Sequence, residues 1–368
     1  MKRNRLSAEQ KDALLFRVLE LYVNKKLAAD QIAKRIAEEL GLTLQRTNIY
    51  PLLRDGVRRG FLRFSPPTSD SLRDEVAERF HLPAAHIHVV NVQQDLDDEH
   101  VPAAGAEVVL SLIKKLRFNH GRDPVHLGLG PGRATRALAR NLGLAMRAEP
   151  GTPKLALHAI TAGCPSRSPM YAPLAFFNFF EPDLVAEADA LFTEPVVSCA
   201  EYDMIKQRPG FAKAFAQRDK IDIVVTSLGD AEDQHDLFRN LHEGYEDADL
   251  PAGRRKNPSA AIRELLRQGW VGNFQFRPYS AQGIIHETAN LSRAPTLFEL
   301  EDLRDMASAA DDKKRPRAVV LTVQPCGNCG KLRTHALLPL LLVPELRVWS
   351  ELVVDSATAR ELLRLRPA

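Results

Sequence analysis

Three groups of residues have the types and spacing for chemistry. The stretch 322–338, TVQPCGNCGKLRTHALL, sets Cys326 and Cys329 in a C-x-x-C pair, with Gly327, Gly330 and Lys331 just ahead of an apolar run. Thiols at that spacing suit a metal knuckle or a redox pair, whereas glycines with a lysine suit a loop that cradles phosphate. Zinc takes four ligands, so a metal reading needs further donors, and Cys164, Cys199 and His335 are available. No second C-x-x-C accompanies the first, and the flanks are not those of a thioredoxin motif. Neither a metal nor any other cofactor is assigned on this pattern. The second group is Gly130-Pro131-Gly132-Arg133-Ala134-Thr135, where the apolar run 125-VHLGLG-130 passes into a helical pattern. Backbone N–H groups there suit an anion, with Arg133 and Thr135 as side-chain donors. No Gly-Lys-Ser/Thr follows, so it is not a P-loop, and its glycine spacing is not that of a dinucleotide fingerprint. The third group, Asp230, Glu232, Asp233 and His235, follows 221-IDIVVTSLG-229 and offers carboxylates for acid–base work or simply a solvated turn.

The elements that must position these groups are legible from periodicity. Short β-rich runs alternate with amphipathic helices. Strands are expected at 86–92, 125–130, 154–160, 195–199, 221–229, 318–323 and 346–355, and helices at 71–80, 105–117, 133–143, within 171–192 and at 210–218. The expected fold is α/β: a doubly wound, mostly parallel sheet, in which ligands bind beyond the carboxyl ends of the strands. Those ends carry Gly130 and Gly132, then Gly163 and Cys164, then Gly229 and Asp230. Residues 231–259 are polar and mixed in charge, and read as an excursion. Trp270 and Trp349 lie in apolar segments and read as core. His86 and His88 alternate along a strand and read as satisfied histidines, and the PLAFFNFFEP cluster reads as a buried face or subunit contact.

Ahead of this body lies a small, basic, all-α head. Residues 1–63 hold fourteen Lys/Arg against seven Asp/Glu, a net +7, which leaves −4 on the remainder of a chain whose total is +3. Ser7 with Gln10 forms a capping-box pattern before an apolar stripe of Leu14, Leu15, Val18, Leu19 and Tyr22. A second helix carries Ile32, Ala33, Ile36 and Leu40, and Gly41 supplies the turn. A third, capped by Thr43 and interrupted by Pro51, buries Leu44, Ile49, Leu52 and Leu53. It leaves Gln45, Arg46, Thr47, Asn48, Tyr50, Arg54, Arg58 and Arg59 for phosphates and base edges. Gly60 then turns the chain into a short wing carrying Arg63. Domains are expected at 1–64 for a DNA-binding head, 65–72 for a Pro/Ser-rich linker and 73–368 for the α/β body.

The remaining bulk properties exclude classes. Hydrophobic content of 45% and charged content of 26% are ordinary for a soluble globular protein. No apolar run approaches the ~18 residues that would span a membrane. MKRNRLSAEQ is no secretory leader, and four cysteines in 368 residues make no disulfide framework, so a cytoplasmic location is expected.

Taken together these phrases resemble a known family. The helical head with GFLRF resembles the winged helix-turn-helix of bacterial regulators. The body, through 127-LGLGPGRATRALARNL-142, 194-EPVVSCAEYDMIKQRPGFAKAF-215, 221-IDIVVTSLGD-230, 269-GWVGNFQFRPYSAQG-283 and the segment 330–363, is similar to the effector domain of SorC/DeoR-type regulators, a fold like ribose-5-phosphate isomerase. The resemblance implies a DNA operator, a phosphorylated sugar as effector, a homodimer or homotetramer, and no enzyme activity. It implies phosphate contacts from Gly130, Gly132, Arg133, Thr135 and Lys331. Departures stand at Asn273, where the family has Asp, at Tyr279-Ser280 in place of its Phe-Asp, and at Ala134, where Thr is common. Two other functions stay open from the residues: a sugar-phosphate isomerase or deaminase using Asp230 and its neighbours, and a metal or redox sensor using the C-x-x-C loop.

Overall fold

A computed structural model describes residues 6–62, 65–92, 99–149, 151–163, 168–246, 258–286 and 292–365. The chain separates into two compact units, one built on the first three helices and one on the sheet. In the first, α1 (Ala8–Val23), α2 (Ala29–Leu40) and α3 (Arg46–Arg58) pack on one another. The Ser7–Gln10 capping box is present, and Gly41 ends α2 in the left-handed region at φ 65°. Leu14, Val18, Ile32, Ile36 and Ile49 form the core as the periodicity requires. Leu21 is buried in the place expected of Tyr22, which is exposed, as is Leu40. The helix α3 starts at Arg46 and not at Thr43, because Gln45 takes the cap and its N–H is accepted by Asn48 Oδ1 at 2.8 Å. It runs on through Pro51, which lies on the exposed side where a missing hydrogen bond costs least. Residues 61–62 form a bend with no strand, and Arg63 of the expected wing lies outside the described residues.

The second unit follows in chain order as α4 (Asp70–Phe80), β1 (Ile87–Val90), α5 (His100–His120), β2 (Val125–Leu129), α6 (Arg133–Ala148), β3 (Leu155–Ala159), α7 (Pro173–Phe176), β4 (Val185–Ala190), β5 (Val197–Ser198), α8 (Cys199–Lys206) and α9 (Pro209–Gln217). It continues as β6 (Ile223–Asp230), α10 (Leu237–Glu246), α11 (Ala260–Arg267), β7 (Trp270–Phe274), β8 (Arg277–Ser280), β9 (Ser292–Arg293), α12 (Leu300–Ser308), β10 (Ala318–Val323), α13 (Thr334–Leu342), β11 (Glu351–Asp355) and α14 (Ser356–Arg364). Seven strands run parallel in the order β1-β11-β10-β6-β2-β3-β4, and β7 and β8 add an antiparallel hairpin to the end of β6.

All six residues of β10, AVVLTV, are buried because both faces are covered, which is why the run is apolar without alternation. Val319, Leu321 and Val323 join the core with residues of α12 and α13, while α5 packs on the strand so closely that a Cβ on Gly105 would stand 2.9 Å from Thr322. Trp270 and Trp349 are core residues, and Glu351 receives both His86 and His88, at 2.9 and 3.1 Å.

Several expected elements differ. The segment 171–192 is not one helix: Pro173 and Pro182 each restart the chain, giving a one-turn α7, 3-10 turns and then β4. The expected strand 195–199 is reduced to β5, which pairs with β9 away from the main sheet. The segment 231–259 is no excursion through residue 246, since α10 buries Phe238 and Leu241. Residues 247–257 lie outside the described residues. Within the expected linker, Ser69 N–H is accepted by Val89 O, and α4 begins at Asp70.

Candidate functional site

Strand order reverses between β2 and β6, since the chain leaves β2 toward β3 on one side and returns to β6 on the other. A crevice must open at the carboxyl ends of such a pair. A cleft lies there, lined by Gly132 and Arg133 after β2, Ser227 and Gly229 of β6, Asn273 and Gln275 of the β7–β8 hairpin, Gln324 and Cys326 after β10, and Arg333 at the start of α13.

The loop after β2 contributes less backbone than its glycines suggest. Gly130 N–H is donated to Val225 O at 2.9 Å and Gly132 N–H to Tyr171 O at 3.2 Å. The first helical bond of α6 runs from Arg136 N to Gly132 O, so the N–H groups of Arg133, Ala134 and Thr135 precede the hydrogen-bonded ladder and carry the positive end of the helix dipole. Thr135 is fully buried, its hydroxyl donating to Pro131 O. Arg133 lies over the Tyr171 ring, 5.2 Å from its centre, and donates to Asn328 Oδ1 of the loop after β10.

The β7–β8 hairpin turns on Gln275 and Phe276, both in the left-handed region at φ 55° and 59°. A two-residue turn of this kind ordinarily takes Asn-Gly, so this backbone is held against local preference. The result is that Gln275 is pressed against Gly130, where a Cβ would stand 2.0 Å from its amide nitrogen. Gln275 is 2% exposed, and among the described residues neither its Oε1 nor its Nε2 has a hydrogen-bond partner. A buried primary amide with both ends unpaired costs a few kcal/mol unless something in the cleft answers it.

The acidic side of the cleft is Asp236. Burial pushes its carboxyl up to about 6, and it accepts from Arg239 N at 2.9 Å and from Asn273 Nδ2 at 3.2 Å. An aspartate at 273 would set two buried carboxylates against each other, so the neutral amide found here follows from this chain's own Asp236.

Of the residues read from the sequence, Gly132, Arg133, Gly229 and Asn273 line the cleft, while Gly130 backs it through Gln275. Thr135, Gly163, Asp230 and Lys331 do not line it. Asp230 is fully buried, its carboxyl raised by burial, and accepts from Glu232 N. Lys331 is paired with Glu232 at 2.5 Å. Cys164 lies outside the described residues. On that loop the cation that lines the cleft is Arg333, two residues after Lys331 and 3.6 Å from Asp233 Oδ2. Gln275, Arg333 and Asp236 were missed by sequence reasoning, and none sits in a pattern that marks it.

In the helical head, Gln45, Arg46, Thr47, Asn48, Tyr50, Arg54 and Arg58 are exposed along α3. Asn48 is engaged with the Gln45 N–H, Arg58 with Asp55, and the half-buried Arg59 with Asp12. Arg46, Thr47, Tyr50 and Arg54 make the open polar face.

No protein-family model matches the chain, and no curated protein matches its sequence. Solved structures do resemble it. The full-length sorbitol operon regulator SorC from Klebsiella pneumoniae aligns over 98% of this chain and 100% of its own, with 19% identity and a TM-score of 0.61. A domain of a possible sugar-binding transcriptional regulator from Arthrobacter aurescens covers 82% of this chain and 100% of its own at 15% identity and TM-score 0.55. A DeoR family transcriptional regulator from Listeria monocytogenes covers 79% of this chain and 98% of its own at 15% identity and TM-score 0.52. The chain therefore has the fold of the SorC/DeoR-type regulators, a helix-turn-helix head followed by a mostly parallel α/β domain.

Proposed function

We propose that this protein is a DNA-binding transcription regulator whose operator affinity is set by a phosphorylated sugar, or a related metabolite, held in the cleft between β2 and β6. The observation that carries the reading is Gln275: a buried amide, unpaired at both ends, fixed by a strained turn at a topological switch point. Hydroxyls of a sugar would satisfy both its donor and its acceptor. The N-terminus of α6, Arg133 and Arg333 supply positive potential for a phosphate. The open polar face of α3 suits a major groove, and a homodimer or homotetramer would present two such faces to a pseudopalindromic site. The names of the structural neighbours, regulators of sugar operons, support the same reading. An acid–base enzyme is less well supported, because Asp230 does not line the cleft.

A thermal-shift screen of free sugars, sugar phosphates and nucleotides tests the pocket, since any ligand of the folded state raises the melting temperature. A compound that stabilises the wild type and not Arg333→Ala is the expected result; no stabilisation by any of them defeats the reading. For the head, Arg46→Ala is expected to weaken operator binding and reduce the salt slope by about one. Unchanged binding would remove α3 as the recognition helix.

A further inference from the structure

Four ligand-type side chains converge where the loop after β6 meets the loop after β10. Asp233, His235, Cys326 and Cys329 each offer one ligand atom, and these atoms all lie within 4.8 Å of one another. His235 Nδ1 stands 3.3 Å from Asp233 Oδ1 and 3.9 Å from Cys326 Sγ. Around tetrahedral zinc, with bonds of about 2.3 Å to sulfur and about 2.0 Å to nitrogen or oxygen, donor atoms stand roughly 3.3–3.8 Å apart. The set is thus within about an ångström of closing on a cation. The parallel pairing of β6 with β10 creates this meeting, since it holds Ser227 beside Thr322 a few residues upstream of both loops.

The surroundings favour ligation over a chance meeting. The C-x-x-C turn is closed by Cys326 N–H donating to Lys331 O and by Gly330 N–H donating to Cys326 O, at 2.8 and 2.7 Å. Asp233 is 1% exposed, and among the described residues its Oδ2 has no hydrogen bond, only the 3.6 Å ion pair with Arg333, while its Oδ1 stands against His235. A buried carboxylate with one oxygen lacking a hydrogen bond, placed beside two thiols and an imidazole, is a second pointer to a cation.

We propose that Asp233, His235, Cys326 and Cys329 bind one thiophilic divalent cation, for which two thiolates, an imidazole and a carboxylate select zinc. The site shares His235 and Cys326 with the wall of the cleft, and it does not depend on the effector reading. Occupancy would clamp the loop after β10 to the loop after β6 and draw Asp233 away from Arg333.

Full-length protein, reduced and stripped with a chelator, is titrated with Zn(II) and separately with Co(II). The expected result is one cation per chain, with thiolate charge-transfer absorption and tetrahedral d–d bands in the cobalt form. Cys329→Ser alters an exposed side chain, so folding is retained, and affinity falls ~100-fold or more, beyond the loss typical of a removed supporting contact. Asp233→Asn and His235→Gln, checked for folding by circular dichroism, each weaken binding at least about tenfold. Uptake below about a tenth of a cation per chain, a cobalt spectrum without the thiolate band, or wild-type affinity in Cys329→Ser each overturns the proposal. So does a Cys326–Cys329 disulfide whose reduced form takes up no cation.

Discussion

Two glycine-bearing loops leave neighbouring regions of the same sheet, one after β2 and one after β10, and they do opposite things. The first is short and tied down: its glycine amides are spent on Val225 and Tyr171, and what it delivers to the cleft is the N-terminus of α6. The second is longer, closes on itself through Cys326, Gly330 and Lys331, and delivers side chains to the cleft, namely Cys326 and Arg333. A helix N-terminus attracts any anion within a turn of its first amides. Side chains held on a closed loop can discriminate among ligands, because their identity and geometry vary independently of the sheet. On the function proposed above, the contrast gives general attraction to the first loop and selectivity to the second.

The largest expected effect concerns how tightly the first loop is built. Gly132 sits at φ 126°, and a Cβ there would stand 2.5 Å from Ser227 Oγ, whereas Gly330 at φ 70° has nothing within 4 Å. Gly132→Ala should cost about 3 kcal/mol, from backbone strain and overpacking together, and Gly330→Ala about 1 kcal/mol. Urea unfolding of the two variants reads this directly. Equal losses would mean that the loops do not differ in packing.

Acid should then act on the β2 side of the sheet. His158 of β3 is 1% exposed and stacks on His126 of β2. Burial, reinforced by the charge of His126, lowers its pKa from 6.5 to about 4. The unfolded chain therefore takes up a proton that the folded chain refuses. This contribution to stability is complete above pH 6.5 and is lost progressively as pH falls toward 4. Between pH 7 and pH 5 the wild type should lose about 2 kcal/mol more than His158→Asn. Parallel stability curves for the two proteins would exclude the histidine as the cause.

A smaller difference separates the two cations of the second loop. Arg333 faces the cleft, while Lys331 is held at Glu232 and remains partly exposed. For any anionic ligand found by the thermal-shift screen, Arg333→Ala should cost about 2 kcal/mol of affinity by calorimetry, the range of a charge-assisted hydrogen bond. Lys331→Ala should cost under about 0.5 kcal/mol, as for an exposed ion pair. The reverse order would return the phosphate contact to the lysine that the family resemblance designates.

The head was legible because its information is local. A cap, an apolar stripe at helical spacing and a left-handed glycine each act within a few residues, and α1 and α2 form where those signals stand, while α3 begins beyond its expected cap. The cleft was only half legible. Gly132, Arg133 and Gly229 follow from reading the strand ends and Asn273 from the family resemblance, but Gln275 could not be found either way, because its turn contradicts local preference and is held by the surrounding packing. The PLAFFNFFEP segment shows the same limit. Phe176 and Phe180 are buried as an apolar cluster should be, yet the prolines divide what looked like one helix.

Taken alone, the sequence determined the class of fold, the positions of most strands and helices, and the presence of a C-x-x-C turn, since hydrophobic periodicity and turn chemistry are properties of short segments. Only the tertiary structure decided which residues share a site. Arg333 and not Lys331 faces the cleft because of where α13 begins. Among the described residues, Asp233 and His235, rather than Cys199 or His335, meet Cys326 and Cys329 because β6 and β10 pair in parallel at one register. That pairing joins residues some ninety positions apart, and no local signal encodes it: it is settled by burying both faces of the sheet at once.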